Sequence, residues 1–273
     1  MMRSLWTGAS GMIAQQTNVD VIANNLANVN TTGYKKERLE FKSLLYQTLA
    51  QADLDPANGM GSRPVNLQVG LGVRPVATAR MFDRGNLEVT ENNLDFAIEG
   101  FGFFAVETPN GVAYTRDGCF KLATTVQGSY LVTSDGYMVL STDGGPIILP
   151  PEVTMHDVEV DYRGRFLFMG EEGEQIELGF QLEIVQFSNT QGLEAVGSNL
   201  FRETVASGLP LSEPGGDVPS LSKVIQGVRE MPNVQIAEEM VRLIIAQRAY
   251  EINSKVISTS DDMLQTANGL KRP

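Results

Sequence analysis

Ile236-Ala237-Glu238-Glu239-Met240-Val241-Arg242-Leu243-Ile244-Ile245-Ala246-Gln247-Arg248-Ala249-Tyr250, continued to Leu264, is the stretch from which the rest of the chain is read. Ile236, Leu243, Tyr250, Ile257 and Leu264 recur at strict heptad intervals, and Met240 and Gln247 fall four residues after the first two. A repeat of this kind belongs to a helix that meets other helices. It predicts one helix over about 234–267. Pro232-Asn233 supplies a break and an N-cap, Glu238 and Glu239 lie near the positive end of the helix dipole, and Gly269 with Lys271 and Arg272 closes the far end. Ile244, Ile245, Ile252 and Val256 lie off the main line. A helix apolar on more than one face needs neighbours on more than one face. Two readings stand at this point: a long amphipathic helix packed on its own domain, or a helix made for partner helices.

The amino end carries a shorter version of the same pattern. Leu5, Met12, Val19 and Leu26 are heptad-spaced, with Ile22 and Val29 three residues after the last two, while Ala9, Gln16 and Ala23 make the rest of the stripe weak. A helix is expected over about 4–29, ended by Asn30-Thr31-Thr32-Gly33. Asn24, Asn25, Asn28 and Asn30 serve either as fraying and turn residues or as a hydrogen-bonded ladder between subunits. One short helix cannot cover all of the long one. Self-association through unlike surfaces, which builds an open helical filament, is the expectation.

Between the helices the period changes to two. Ile176, Leu178, Phe180, Leu182 and Ile184 alternate with polar residues and Gly179, and the phase slips at Ile184-Val185, which suggests a β-bulge. Asn110-Gly111, Asp117-Gly118, Asp135-Gly136 and Asp143-Gly144 suggest tight hairpins with positive φ at both central residues. Short strands are expected at 103–107, 113–116, 130–133, 137–140 and 158–160. The predicted fold class is α+β: discontinuous N- and C-terminal helices forming a coiled-coil-like stalk, with an inserted antiparallel all-β domain. Residues 1–33 with 230–273 make the helical part and 70–205 the β domain. Residues 34–69 with 206–229 make the connectors, of which 51–66 and 207–222 are rich in Pro, Gly and polar residues.

Acidic residues number 33 against 21 basic ones, a net charge of −12. That excess repels phosphate backbones and argues against nucleic acid as a partner. No stretch approaches a membrane span, and the amino end lacks the apolar core of a cleaved signal. Cys119 reads as a partly buried core thiol. His156 has Asp157 beside it but no nucleophile at a useful spacing, and neighbours on a strand face opposite ways. One His and one Cys make no typical zinc site. Glu171-Glu172-Gly173-Glu174 lacks the alternating ligands of a calcium loop, and Gly100-Phe101-Gly102 precedes a strand and so makes no phosphate cradle. The expectation is no catalytic residue, no metal, no cofactor and no small-molecule substrate.

Val19-Asp20-Val21-Ile22-Ala23-Asn24-Asn25-Leu26-Ala27-Asn28-Val29-Asn30-Thr31-Thr32-Gly33-Tyr34-Lys35 resembles the N-terminal signature of bacterial flagellar rod and hook proteins. Arg248-Ala249-Tyr250-Glu251-Ile252-Asn253-Ser254-Lys255 and Ser258-Thr259-Ser260-Asp261-Asp262-Met263-Leu264-Gln265 resemble the matching C-terminal signature. Arg3-Ser4-Leu5-Trp6, Leu44-Leu45-Tyr46-Gln47-Thr48, Gly72-Val73-Arg74-Pro75 and Asp95-Phe96-Ala97-Ile98-Glu99-Gly100 are similar to the distal rod subunits within that family. The resemblance implies a structural subunit of a hollow helical drive shaft in the basal body. It implies export through the flagellar type III apparatus without signal cleavage, and assembly in the periplasm. The implied partners are copies of itself, proximal rod proteins, the hook protein, surrounding bushing rings and the export apparatus. The stripe residues Leu5, Met12, Val19, Ile22, Leu26, Val29, Ile236, Met240, Leu243, Tyr250, Ile257 and Leu264 are then expected at subunit interfaces. Another axial protein (proximal rod or hook) is the near alternative, against which the connector at 47–66 and Gly72-Val73-Arg74-Pro75 speak. A wall-modifying hydrolase on a helical stalk is the distant one.

Overall fold

The computed structural model describes residues 2–50, 65–125, 128–150, 158–169, 175–214 and 222–270. His156, the acidic run at 171–174 and residues 51–64 and 215–221 of the connectors lie outside them. The fold is α+β, with one helix at each end and antiparallel strands between. The chain divides into two compact units. One comprises residues 1–27, 37–79 and 235–273; the other comprises 28–36 and 80–234.

In the first unit, helix α1 is Met2–Ala27 and helix α2 is Ile236–Gly269. Strand Glu37–Ser43 pairs with Val73–Arg80, and Tyr46–Ala50 pairs with Leu67–Gly70. Strands Glu37–Ser43 and Tyr46–Ala50 lie where only a connector was expected. Asn233 does not cap α2. Gln235 holds that position without a side-chain bond. Asn233 belongs to the second unit, where its amide accepts from Lys36 N at 2.8 Å and donates to Met81 O at 2.8 Å and Asp83 O at 3.1 Å. A side chain with four bonding positions is worth more as a three-way staple than as a cap. Nor does Gly269 end α2 in a left-handed turn; the helix runs through it.

The β unit is built on a branched sheet centred on Phe103–Thr108 and Gly111–Thr115. Phe103, Phe104, Ala105 and Val106 are all buried, because this strand is covered on both faces. Phe104 packs with Phe96, Phe120 and Leu131 on one side, and Phe103 with Tyr114, Phe187 and Phe201 on the other. The rings meet edge to face, Phe104 with Phe120 at 5.2 Å and Phe82 with Phe201 at 5.2 Å. Each buried ring contributes about 1.5–3 kcal/mol. A three-stranded sheet of Val158–Val160, Arg165–Met169 and Gln175–Gln181 adjoins it in sequence.

The phase slip near Ile184 is not a bulge. Strand Gln175–Gln181 ends, Leu182 makes a single bridge to Ser141, and Ile184–Gln186 joins the larger sheet. The pattern shifts because the chain changes sheets. The hairpins also differ from expectation. Gly111, Gly136 and Gly144 take positive φ, but Asn110, Asp135 and Asp143 do not. At 141–144 a Gly144 N–Ser141 O bond of 2.8 Å closes an ordinary turn, and the glycine alone is left-handed. Asp117-Gly118 is no hairpin: a Cβ at Gly118 would lie 1.8 Å from Phe96 O, so the glycine is there for close approach. Consecutive positive φ occurs at Gly197, Ser198 and Asn199, where strand Glu194–Gly197 turns into Leu200–Arg202.

Candidate assembly surface

The helical unit is held by contact between α1 and α2, and apart from Ile22 the residues enclosed there are small or polar. Ser4 Oγ and Ser260 Oγ are 3.1 Å apart, and Asn25 Nδ2 donates to Glu239 Oε2 at 3.2 Å. The helices therefore run antiparallel, and Ser4 to Asn25 spans as many residues as Glu239 to Ser260. Midway, a Cβ on Gly11 would lie 2.8 Å from Asn253 Nδ2, and one on Gly8 3.0 Å from Ile257 Cγ1. Glu239, Ala246, Asn253 and Ser260 share a heptad interval, and Ala14 and Ala246 are almost wholly enclosed. Small residues let the backbones approach. Asn25 is fully committed at the end of this line: it also donates to Glu37 O at 2.8 Å and accepts from Glu37 N at 2.9 Å. Its role lies within the chain, which was neither of the two readings for it. Glu239 is buried in the first turn of α2, where the helix dipole favours a carboxylate, and Arg242 reaches it at 3.3 Å.

Because the small residues occupy the contact, the large ones lie beside it or outside it. Of the twelve stripe residues, only Ile22 is buried within the chain. Leu5, Met12, Val19, Leu26, Val29, Leu243, Ile257 and Leu264 are half-buried, and Ile236, Met240 and Tyr250 are exposed. Val29 lies beyond the end of α1. Val19 and Tyr250 line a shallow groove with Gln16, Gln247 and Glu251. Trp6, Ile13, Val241, Ile244, Ile245, Ile252 and Val256 are exposed, Ile245 and Ile252 at 63% each. That is far more uncovered apolar helix surface than a water-facing helix carries. Neither described helix is long and apolar enough to cross a membrane.

A second feature lies within the β unit and joins segments far apart in the sequence. Glu230 is buried, with Lys35 Nζ at 2.7 Å on one oxygen and Arg116 Nη1 at 3.3 Å on the other; all three side chains are about 1% exposed. Gly85 N also donates to Glu230 Oε1 at 2.9 Å, and Lys35 Nζ to Asp83 O at 2.8 Å. Arg116 donates to Gly100 O at 2.5 Å and lies over the Phe103 ring. Burial pulls both cations below their usual range, and Glu230 opposes that. Around the cluster, Gly33 N donates to Glu230 O at 2.9 Å and Asn199 Nδ2 to Thr32 O at 2.8 Å. Gly33 takes φ +67°, and a Cβ there would lie 2.6 Å from Asp117 N. The segment 28–36 is thus part of the β unit.

Three segments of the chain match family models. Residues 5–35 match the family described as flagella basal body rod protein. Residues 97–167 match the flagellar hook protein FlgE/F/G D1 domain, and 225–270 match the flagellar basal body rod FlgEFG protein C-terminal family. The chain is 50% identical to the flagellar basal-body rod protein FlgG of Borreliella burgdorferi over the whole of both chains. It is 42% identical to that of Caulobacter vibrioides, over 99% of this chain and all of the other. The chain belongs to the FlgG family of flagellar basal-body rod proteins. A flagellar hook-basal body complex protein of Bacillus subtilis, FlhP, is 30% identical over nearly the same span, against 40% for the FlgG of that organism. Membership in the FlgG family makes the chain a structural subunit of the flagellar basal body and not an enzyme.

Among the described residues, no three of His, Cys, Asp and Glu gather as metal ligands. Burial, helped by Asp117 and Asp95, pushes the Cys119 thiol up to about 12, so it carries almost no thiolate near neutrality. Sequence reasoning missed Asn25–Glu239 and the Lys35–Arg116–Glu230 cluster. The first had a faint signal in the heptad-spaced Glu239, Ala246, Asn253 and Ser260. The second had none, because its members lie far apart in the chain.

Proposed function

We propose that the chain is a distal-rod subunit that polymerises with copies of itself into a hollow helical drive shaft carrying torque from motor to hook. The terminal helices, residues 1–33 with 230–273, form a coiled-coil-like inner tube. The connectors, 34–69 with 206–229, stiffen a middle layer, and 70–205 form the outer wall. The observation that carries this reading is the uncovered apolar surface of α2. Val241, Ile244, Ile245, Ile252 and Val256 lie outside its contact with α1, and copies of the same helices are the neighbours that cover it. The twelve stripe residues, Leu5 to Leu264, are the interface in this arrangement. Proximal rod proteins and the hook protein adjoin the two ends, and bushing rings surround the shaft. The subunit reaches the periplasm through the flagellar export apparatus without a cleaved signal.

The test is Leu243→Asp. Leu243 is half-buried at the edge of the contact, and a charge there is costly once neighbours exclude water. Electron micrographs of the polymerised chain should show tubes for the parent and none for the variant, while near-ultraviolet circular dichroism keeps the signal of the β unit. Tubes built equally well by the variant would refute this interface.

A further inference from the structure

A cavity of about 220 Å³ opens on the large sheet of the β unit, walled by Val112, Tyr114, Leu140, Ser141, Glu183 and Val185, among others. None of its lining residues is Lys, Arg or His. The Glu183 backbone is fixed on both sides: its N–H donates to Leu140 O at 3.1 Å, and its carbonyl accepts from Ala105 N at 3.3 Å. Tyr114 is fixed by the edge of Phe187, centroids 4.8 Å apart. Its phenol is pushed up to about 12 by burial, with the nearby carboxylates of Glu203 and Glu183 adding to the effect. It therefore stays protonated in a negative field. The Ser141 hydroxyl is buried, with no hydrogen-bond partner among the described residues. A buried polar group without a partner costs free energy unless a ligand supplies one.

We propose that this cavity is a receptor for an alkylammonium group, the head of a lysine side chain from a neighbouring protein chain. The ammonium offers three donors on a compact charge. One goes to the Glu183 carboxylate and one to Ser141 Oγ, and the charge lies against the aromatic Tyr114. Val112, Leu140 and Val185 take the methylene stem. The cavities lined by Arg163 and Arg165, or by Arg80 and Arg116, carry their own cations and do not suit such a ligand. The inference rests on the β unit alone and stands whether or not the helix arrangement above is right.

The experiment uses the full chain, labelled with nitrogen-15, and two probes: Nα-acetyl-lysine N-methylamide and its norleucine counterpart, which keeps the stem and lacks the charge. The lysine probe should shift the Ala105, Ser141 and Glu183 amide resonances saturably, and the norleucine probe should bind about tenfold or more weakly, as loss of one charged hydrogen bond requires. Glu183→Gln should weaken the lysine probe by a similar factor with the rest of the spectrum unchanged. Equal binding of both probes, or shifts centred elsewhere, would overturn the proposal. The probe comparison needs no variant, so it decides even if Glu183→Gln misfolds. Sedimentation then identifies the donor. Self-association weakened by the lysine probe assigns the lysine to a second copy, and unchanged self-association assigns it to another protein.

Discussion

The helix pair and the β unit solve opposite problems with the same twenty side-chain types. In the β unit the large residues point inward: Phe96, Phe103, Phe104, Phe120 and Phe166 are enclosed, and even three charged groups are sealed in with them. In the helix pair the residues enclosed are Gly8, Ala14, Ile22 and Asn25 on α1 and Glu239, Ala246 and Ser260 on α2, while isoleucines and a tryptophan face outward. One region spends its apolar surface on its own core. The other keeps that surface for neighbours, and its intrachain contact is little more than a register mark. The difference shows why a strong heptad repeat does not reveal which residues touch within a chain.

That contrast can be broken most severely at Glu230. Glu230→Ala leaves Lys35 and Arg116 buried with no counter-charge and should cost about 3–5 kcal/mol, read as a large fall in the urea midpoint of the β unit. A shift within error of the parent would mean that the cluster is not closed in solution. Lys35→Met is milder, because Glu230 keeps Arg116. A loss of about 1–3 kcal/mol is expected from the lost charged bonds, again from urea titration.

Alkaline pH sharpens the same comparison, because Cys119 and Tyr114, the two acids pushed up to about 12, belong to the β unit. The Cys119 and Tyr114 folded values lie near 12, against ordinary values of 9.0 and 10.0. The unfolded chain loses these protons first, so it binds fewer protons than the native state and stability falls as pH rises. The loss should begin near 9 for Cys119 and near 10 for Tyr114 and run to about 12. Midpoints of thermal unfolding across that window should fall less steeply in Cys119→Ser. An identical slope would show that the thiol does not contribute.

The smallest effect on stability is expected at Ile245→Asp. Ile245 already faces water, so the isolated chain should change by about 0.5 kcal/mol or less, yet assembly should stop. A clear drop in helix content before assembly would mean that Ile245 packs within the chain.

The architecture was legible because each part of it leaves a local mark. The two helices are written in spacing, and Val158–Val160 in alternation. The strands at Glu37–Ser43 and Tyr46–Ala50 were missed because exposed ribbons carry little apolar alternation. Phe103–Val106 shows no alternation either, since both of its faces are covered. Asn233 looked like a cap because a cap needs only an Asn before a helix. What decided its role was the presence of Lys36, Met81 and Asp83, which no local window contains. The contact line through Gly8 and Ala246 escaped because small residues score weakly against the isoleucines and leucines beside them.

Position along the polypeptide turns the enclosed carboxylate into a matter of order in time. A chain threaded amino end first presents residue 35 before residue 116, and Glu230 arrives only with the last residues of the β unit. Until then, strand Leu87–Val89 has no Val228–Glu230 to pair with, and two cations wait without their shared anion. A nascent or truncated chain that stops short of 230 is therefore left unsealed, and closure of the β unit waits for that residue.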